Sequence, residues 1–317
     1  MNKLVSINIL TYNGEKWIEK CIKSVLEQTY PDIEILVIDN ASTDNTLEKI
    51  QNIKTIKNEK NLGFSAGHNI GIKKSKGKYI FCLNQDIILD KDFVKNTVDL
   101  LEKDDKIGSI QGKIYQLNNG EKTDILDTMG FTVYKSGRII DTGHGEKDFS
   151  SSLGTSLEPK EVFGVNGVAS IYRRTALNQV KLKEEYFDED FFCYVEDVDL
   201  SWRLRRKGWK CVFAPNVIAW HDRTSSKSIS GGWAEFRKTR KSQSLWLRRI
   251  SWRNTWFAFI KNLPLKSFFH PQFLKRQIKF SLYLLFFEPK VLLAKFEIIK
   301  LLPKMLKKRK IIMKNKK

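Results

Sequence analysis

The chain is poor in cysteine, holds no long apolar run and carries almost no acid in its last third. Its four cysteines, at 21, 82, 193 and 211, lie far apart and form no CxxC pair. That spacing excludes a zinc ribbon and a disulfide framework and suits a reduced, cytosolic chain. No uninterrupted apolar stretch reaches about 18 residues, so a membrane-crossing helix is not expected. Met1-Asn2-Lys3-Leu4 runs straight into a strand pattern without a basic segment and apolar core, so no secretory leader is expected either.

Charge is present but uneven. Of 317 residues, 56 are basic and 36 acidic, a net charge of +20. From Ser226 onward there are 24 basic and 3 acidic residues, against 32 and 33 before it. The excess positive charge therefore belongs to the last third. A basic nucleic-acid-binding domain at the front is disfavoured, and the tail is expected to meet an anionic surface.

The front of the chain alternates strand and helix. Leu4 to Leu10 predicts a strand ended by Thr11-Tyr12-Asn13-Gly14. A helix follows, with Ile18, Ile22, Val25 and Leu26 on one face and Asn13 as its candidate N-cap. Ile33 to Ile38 predicts a second buried strand, ending in Asp39-Asn40-Ala41-Ser42-Thr43-Asp44, with a short helix from about Asn45. Such alternation means βαβ units and a parallel sheet. Ser42 or Asp44 suits a helix cap. Asp39 stands at the strand tip, where a carboxylate can accept from ribose hydroxyls or a pyrimidine N–H.

Asn61 to Gly71 carries glycines at 63, 67 and 71, room for close approach by a ligand or a helix, but it is neither a dinucleotide fingerprint nor a P-loop. Tyr79 to Leu83 is then uniformly apolar or aromatic, as a strand covered on both faces requires. It ends in Asn84-Gln85-Asp86. Ligands bind at the carboxyl ends of such strands, and a hard cation holding a diphosphate takes a carboxylate oxygen there. Capping of the turn into Ile87 and Ile88 is the plainer role for Asp86.

The later part is more varied. Asp90 to Lys103 predicts an amphipathic helix, and residues 107 to 160 read as short strands and mobile loops, with His144 a surface histidine between two glycines. Val165 to Tyr172 predicts another buried strand. A dense aromatic and acidic run, Tyr186 to Tyr194, leads into a helix with Glu196, Asp197 and Asp199 in its first turn and a stop at Gly208. Complementing the helix dipole explains acids there in general. A carboxylate beside an aromatic wall is also a candidate general base. Two short strands, 211–214 and 217–220, are expected around Pro215-Asn216, with His221 ending the second and 222–230 suited to a flexible lid.

Together these segments resemble an inverting glycosyltransferase of family 2 with the GT-A fold. The match runs through Ser6–Asn13, Val37–Asp44, Asn61-Leu-Gly-Phe64 with Gly67–Gly71, Leu83–Asp86, Gly167-Val-Ala169, and Phe187–Phe192 with Glu196–Leu200. It covers roughly residues 4 to 225 and is similar to the rhamnosyltransferase-like branch, which builds bacterial surface polysaccharides. The resemblance implies an α/β, Rossmann-like, mostly parallel sheet with flanking helices over 1–225, followed by a basic helical extension over 226–317. It implies nucleotide contacts from Thr11, Tyr12, Asn13, Asp39 and Asn40, and a donor site that also includes Asn69, Asn84 and Gln85. Asp86 matches the last acid of the DxD metal motif, with Asn84 in place of the first; one carboxylate fewer implies weaker cation binding. His221 matches a histidine that completes the shell around Mg2+ or Mn2+ in some relatives, and Asp197 matches the catalytic base. The implied partners are a dTDP-, UDP- or GDP-sugar donor and a saccharide or lipid-diphosphate-linked acceptor.

The tail interleaves basic residues with Trp246, Trp252, Trp256, Phe268, Phe269 and other aromatics. Basic amphipathic helices of this kind suit an anionic leaflet, which predicts a cytoplasmic enzyme peripheral on the inner face of the plasma membrane. Two other readings are weaker. A nucleotidyltransferase should carry a Gly-rich, basic loop after the first strand, and Thr11 to Lys16 lacks that shape. Basic–aromatic interleaving also suits single-stranded nucleic acid, but the near-neutral front with its acid cluster opposes it, so no nucleic-acid partner is expected.

Overall fold

Strand and helix alternate through the first third: β1 (Val5–Thr11), α1 (Ile18–Leu26), β2 (Ile33–Asp39), β3 (Thr55–Lys57), α2 (Gly63–Lys74), β4 (Tyr79–Asn84), β5 (Ile87–Leu89) and α3 (Phe93–Lys103). The computed structural model describes residues 3–118, 120–148, 158–223 and 233–314. Next come β6 (Ile107–Asn118), β7 (Glu121–Thr128), the hairpin β8 (Phe131–Val133) and β9 (Ile139–Asp141), β10 (Lys160–Val162) and β11 (Ala169–Arg173). Then follow α4 (Arg174–Val180), α5 (Glu196–Arg206), β12 (Lys210–His221), α6 (Trp233–Ser242), α7 (Leu245–Asn262), α8 (Pro271–Phe287) and α9 (Ala294–Lys314).

The main sheet runs β10-β12-β6-β11-β4-β1-β2-β3, with β5 beside β12 and β7 beside β6. Strands β3, β2, β1 and β4 are mutually parallel, and antiparallel β11 joins β4 to β6. The chain builds outward from β1 to β3 and then returns to the other side of β1 as β4. That reversal puts a crevice at the carboxyl ends of β1 and β4, where open α/β sheets bind ligands.

Alternation along β4 decides what covers each face. Tyr79, Phe81 and Leu83 enter the cluster formed with α1 and α3, whereas Ile80 and Cys82 face α2, α4 and α5. Each such side chain, when fully buried, contributes about 1.5–3 kcal/mol. The glycines of α2 serve helix packing. A Cβ at Gly67 would lie 2.4 Å from Leu10, and one at Gly71 would lie 2.8 Å from Ile38.

Several local expectations change. Asn13 does not cap α1: it adopts φ 47° and its Oδ1 accepts the Thr43 N–H, while Gly14 C=O receives the N–H groups of Trp17 and Ile18. Residues 107–118 form one long strand rather than short pieces. Ser109, Gln111 and Lys113 mask its pattern, yet all three are buried, with Lys113 paired to Asp148. β12 is a single strand with an irregularity between Ala214 and Ile218, at Pro215-Asn216, and β11 begins at Ala169 rather than Val165. Most of the expected lid, from Thr224 on, lies outside the described residues.

Helices α7 and α9 pack on α5 and the turn before it, through Phe191, Phe257, Ala258 and Met305. Basic residues of this region meet acids within the chain. Lys261 is fully buried, paired with Asp188 and with Asp199 at 2.8 Å, and Lys308 pairs with Glu185, Asp188 and Asp190. Burial works against ionised Asp188, but Lys261 and Lys308 hold it below the usual carboxylate range. Arg240 and Arg248 share Glu288, and Arg249 and Arg253 share Glu297. The tail's charge is thus partly spent on internal pairing.

Candidate active site

The tips of β1 and β2 are built by local hydrogen bonds. Thr11 lies opposite Asp39 in the parallel register. The Thr11 hydroxyl is buried and donates to Gln85 Oε1 (2.5 Å), which also accepts the Tyr12 N–H (3.0 Å), while Gln85 Nε2 donates to the Tyr12 carbonyl (3.2 Å). Gln85 therefore clamps the end of β4 onto the end of β1. A Cβ at position 14 would sit 2.2 Å from Gln85 Oε1, so the clamp needs Gly14. Asp39 is buried and accepts from the N–H and hydroxyl of Ser42. Tyr12 is exposed beside it.

Two of the predicted donor residues are occupied elsewhere. Asn40 bridges Gly63 C=O and Asn58. Asn69 donates to Phe187 C=O and Glu189 and accepts the N–H groups of Tyr186 and Phe187. Both asparagines are buried and shape the walls: Asn40 fixes the β2 tip to α2, and Asn69 fixes the aromatic run to α2. Asn84 bonds through its backbone, its N–H reaching Val168 C=O.

Asp86 stands where β4 leaves the sheet. Its Oδ1 is buried without a hydrogen-bond partner, and its Oδ2 is 3.4 Å from His221 Nε2. On the other ring face, His221 Nδ1 is 2.8 Å from Asp127 Oδ2. Burial alone would depress the His221 imidazole; the flanking carboxylates outweigh it and raise its pKa to about 9. Asp127, fully buried on β7, is also approached by Arg223 Nε (3.1 Å) and His144 Nδ1 (3.3 Å). Burial opposes its charge, but His144, His221 and Arg223 hold it below the usual carboxylate range. His144 is thus not a surface histidine: it closes on Asp127 from a tight turn in which a Cβ at Gly143 would meet Met129 at 2.7 Å. Arg223 continues to Asp141, and Asp141 to Asn166. Sequence reasoning missed Asp127, Asp141, Asn166 and Arg223, because they come together only across β7, β9, the segment before β11 and the end of β12. A cleft of about 280 Å³ opens beside Asp86, lined also by Lys16, Trp17, Lys20, Leu117 and Asp222.

The three acids at the start of α5 meet different fates. Asp199 is bound by Arg203, Lys261 and Asn262. Glu196 is buried, and burial with the adjacent Asp197 pushes its carboxyl well above the ordinary range. Asp197 Oδ2 accepts the Gly167 N–H at 2.8 Å and Oδ1 accepts the Val198 N–H. Burial lifts its pKa against those two N–H groups, and Asp141 adds to the rise, to about 6. The residue after Gly167 is the one whose carbonyl receives the Asn84 N–H. Asp39, Asp86 and Asp197 are therefore brought to one edge of the sheet.

The fold recurs among known proteins. The model of glycosyl transferase family 2 matches residues 6–181, more than half of the chain. Poly-beta-1,6-N-acetyl-D-glucosamine synthases of Staphylococcus epidermidis and Staphylococcus aureus (strain COL) are 26% identical over 290 residues, spanning 90% of this chain and 60% of theirs. The chain thus covers less than two thirds of the length of these curated relatives. Among solved structures, GalNAc-T7 with UDP, GalNAc and Mn2+ superposes with a TM-score of 0.59 at 18% identity, over 86% of this chain and 52% of that one. TarS of S. aureus superposes with a TM-score of 0.52 at 18% identity, over 83% and 50%. The sheet order, the switch point between β1 and β4 and the matched segments agree: the chain is a glycosyltransferase of family 2, with the GT-A fold.

Proposed function

We propose that the protein transfers a hexosyl or deoxyhexosyl unit, rhamnose included, from a nucleoside-diphosphate sugar to a saccharide or lipid-diphosphate-linked acceptor, with inversion, in cell-surface polysaccharide synthesis. The observation that carries this reading is the pairing, on one sheet edge, of a buried Asp197 with a raised pKa and an Asp86 whose inner oxygen lacks a partner. The polysaccharide role is supported by the names of the staphylococcal relatives. We assign catalysis to 1–225 and support to 226–317.

Asp39 suits the ring N–H of uracil or thymine, or ribose hydroxyls, since a carboxylate engaged by Ser42 keeps further lone pairs. Tyr12, exposed at the β1 tip, offers a stacking face. Asp86 and His221 fit a hard divalent cation, Mg2+ or Mn2+. The orphaned Asp86 oxygen, and the His221 imidazole held in orientation by Asp127 once its Nε2 gives up its proton, would hold the ion. Among the described residues no group of three His, Cys, Asp or Glu forms a ready-made cation site. When bound, such an ion supplies charge neutralisation to the leaving diphosphate.

Asp197, ionised above about pH 6, removes the proton of the acceptor hydroxyl. That oxygen bonds to the anomeric carbon from the face opposite the diphosphate. The carbon–oxygen bond to the diphosphate breaks and its electron pair leaves with the phosphate oxygen. One displacement inverts the configuration, by the logic of inverting glycosidases with a sugar hydroxyl in place of water. The test is thermal shift and nucleoside-diphosphate release with UDP-N-acetylglucosamine, UDP-N-acetylgalactosamine, dTDP-rhamnose and a GDP-sugar, each with and without Mn2+. One donor should stabilise the wild type in an Mn2+-dependent way and fail to do so with Asp86→Ala. No stabilisation by any nucleotide sugar would reject the reading.

Membrane contact is proposed through α8. Leu274, Ile278, Leu282, Leu285 and Phe286 form one exposed helical stripe, with Lys275 and Lys279 beside it. Among the described residues no helix is long and apolar enough to cross a membrane. An apolar stripe with basic flanks instead suits the interface of an anionic leaflet, on the cytoplasmic side where the acceptor lipid would be presented. Vesicles containing phosphatidylglycerol should sediment the protein, pure phosphatidylcholine vesicles should not, and Ile278→Ser with Phe286→Ser should release it. Self-association lost in that double variant, without vesicle binding in the wild type, would assign the stripe to a second copy of the chain.

A further inference from the structure

The turn that delivers Asp197 is held by a side chain from another helix. Phe192, Tyr194 and Val195 have φ of 65°, 68° and 74°, a left-handed region disfavoured for residues with a Cβ, and most of all for a β-branched one. Val195 is the N-cap of α5, and its carbonyl accepts the Asp199 N–H. Asp197 follows two residues later.

Left-handed residues turn their carbonyls off the regular path, and buried carbonyls need donors. Asn254 on α7 supplies them. Its side chain is fully buried, and the two N–H groups of Nδ2 are shared among the carbonyls of Phe191 (2.9 Å), Cys193 (2.8 Å) and Tyr194 (2.8 Å). Its Oδ1 accepts from Arg253 Nε (3.0 Å), which fixes the amide's orientation. Arg253 Nη2 reaches the carbonyls of Asp190 and Phe191, and Nη1 pairs with Glu297 on α9. Five bonds from two adjacent residues thus hold a turn about 60 positions earlier in the chain. Without them the carbonyls of Phe191, Cys193 and Tyr194 lose these side-chain donors, and relaxation of the turn passes through Val195 into the first turn of α5.

We propose that Arg253 and Asn254 are positioning residues for transfer, acting through the 191–195 turn to hold the Asp197 carboxylate in place, so that α7 is part of the catalytic apparatus. This rests on Asp197 being the base. Small displacements of a reacting group cost on the order of 10²-fold in rate. In the full-length protein, Asn254→Ala should lower kcat by about 10- to 100-fold while donor KM stays within about twofold. Amide hydrogen exchange should accelerate in 191–199 and not at the tips of β1 and β4. Asn254→Asp, which keeps the volume and removes the donors, should lose at least as much. Unchanged kcat with unchanged exchange would overturn the proposal. So would faster exchange throughout the chain with kcat and KM worsening together. Should both Asn254 variants fail to fold, Arg253→Lys keeps the charge facing Glu297 and loses the fork. It should cost several-fold in kcat alone, and an unaffected kcat would count against the proposal. Asp197→Asn separates the two assignments: if it is active the base assignment falls, and if it is inactive while Asn254→Ala is fully active, only this inference falls.

Discussion

Two acids at one edge of the sheet are held in opposite ways. Asp86 is supported from close by. It ends a strand, the adjacent Gln85 clamps that strand to β1, and His221 lies at its outer oxygen. Asp197 is supported from a distance. Its helix begins in a left-handed turn tied by Arg253 and Asn254, and Asp199, two residues on, is locked by Lys261 and Asn262. The first kind of support is written as a short motif. The second depends on helices that the chain adds much later, so the C-terminal region cannot be removed without disturbing the acid turn.

Asp197→Asn should give the largest effect. Loss of a general base costs about 10²–10⁴-fold, and nucleotide affinity should survive because the tips of β1 and β2 do not depend on α5. In the wild type, kcat should fall tenfold per pH unit below about 6, as the carboxylate that must accept a proton becomes protonated. An Asp197→Asn enzyme with normal turnover would erase the contrast between the two acids as catalytic parts.

Lys261→Met is next, and it is a stability experiment. It removes the buried cation that Asp188 and Asp199 share, leaving Asp188 to Lys308 and Asp199 to Arg203, and breaking a buried pair costs up to about 3–5 kcal/mol. Urea denaturation should show the loss. Substitution of Lys275, on the exposed side of α8, should cost under about 0.5 kcal/mol. Equal effects at the two lysines would mean that the tail is not an internal support.

The same contrast explains what could be read from the sequence. Strand tips carrying Thr11, Asp39 and Asp86 are legible because an apolar run that stops in acceptors has few other uses at a sheet edge. The alternation of β1 to β4 fixes the parallel sheet for similar reasons. Asp127, His144 and Arg223 leave no such trace, since each is an ordinary polar residue in its own segment and meets the others only across separate strands. The tail shows the limit of charge counting. Its positive excess points to an external anion, and part of that excess, at Lys261, Lys304 and Lys308, is used on Asp188, Asp190 and their neighbours. A net charge states how much must be balanced and not where the balance lies.

A smaller effect comes from Gln85→Leu, a probe of local support. It removes the acceptor of the Thr11 hydroxyl and the Tyr12 N–H and should weaken nucleotide binding by about 1–3 kcal/mol, with the acidic limb of the rate unchanged. An altered limb would show that the two acids share their support after all.

The smallest effect at neutral pH, and the most informative about the seam between the two regions, concerns His68. This residue of α2 is fully buried between Phe64 and Phe187, and both ring nitrogens lack hydrogen-bond partners. Burial alone lowers its pKa to about 3. The folded protein thus holds the imidazole neutral while the unfolded chain takes up a proton near pH 6.5. This contribution to stability is fully present above that pH and declines as pH falls toward 3. At pH 5 the loss is about 2 kcal/mol. His68→Leu should therefore match the wild type at pH 7.5 and exceed it in stability progressively below pH 6.5, by denaturant titration at a series of pH values. Because His68 joins α2, which packs on β1 and β2, to the aromatic run that precedes Asp197, acid should loosen the two regions from each other before it melts either. Tryptophan fluorescence and amide exchange that report a single concerted transition at every pH would show instead that the seam is as firm as the halves it joins.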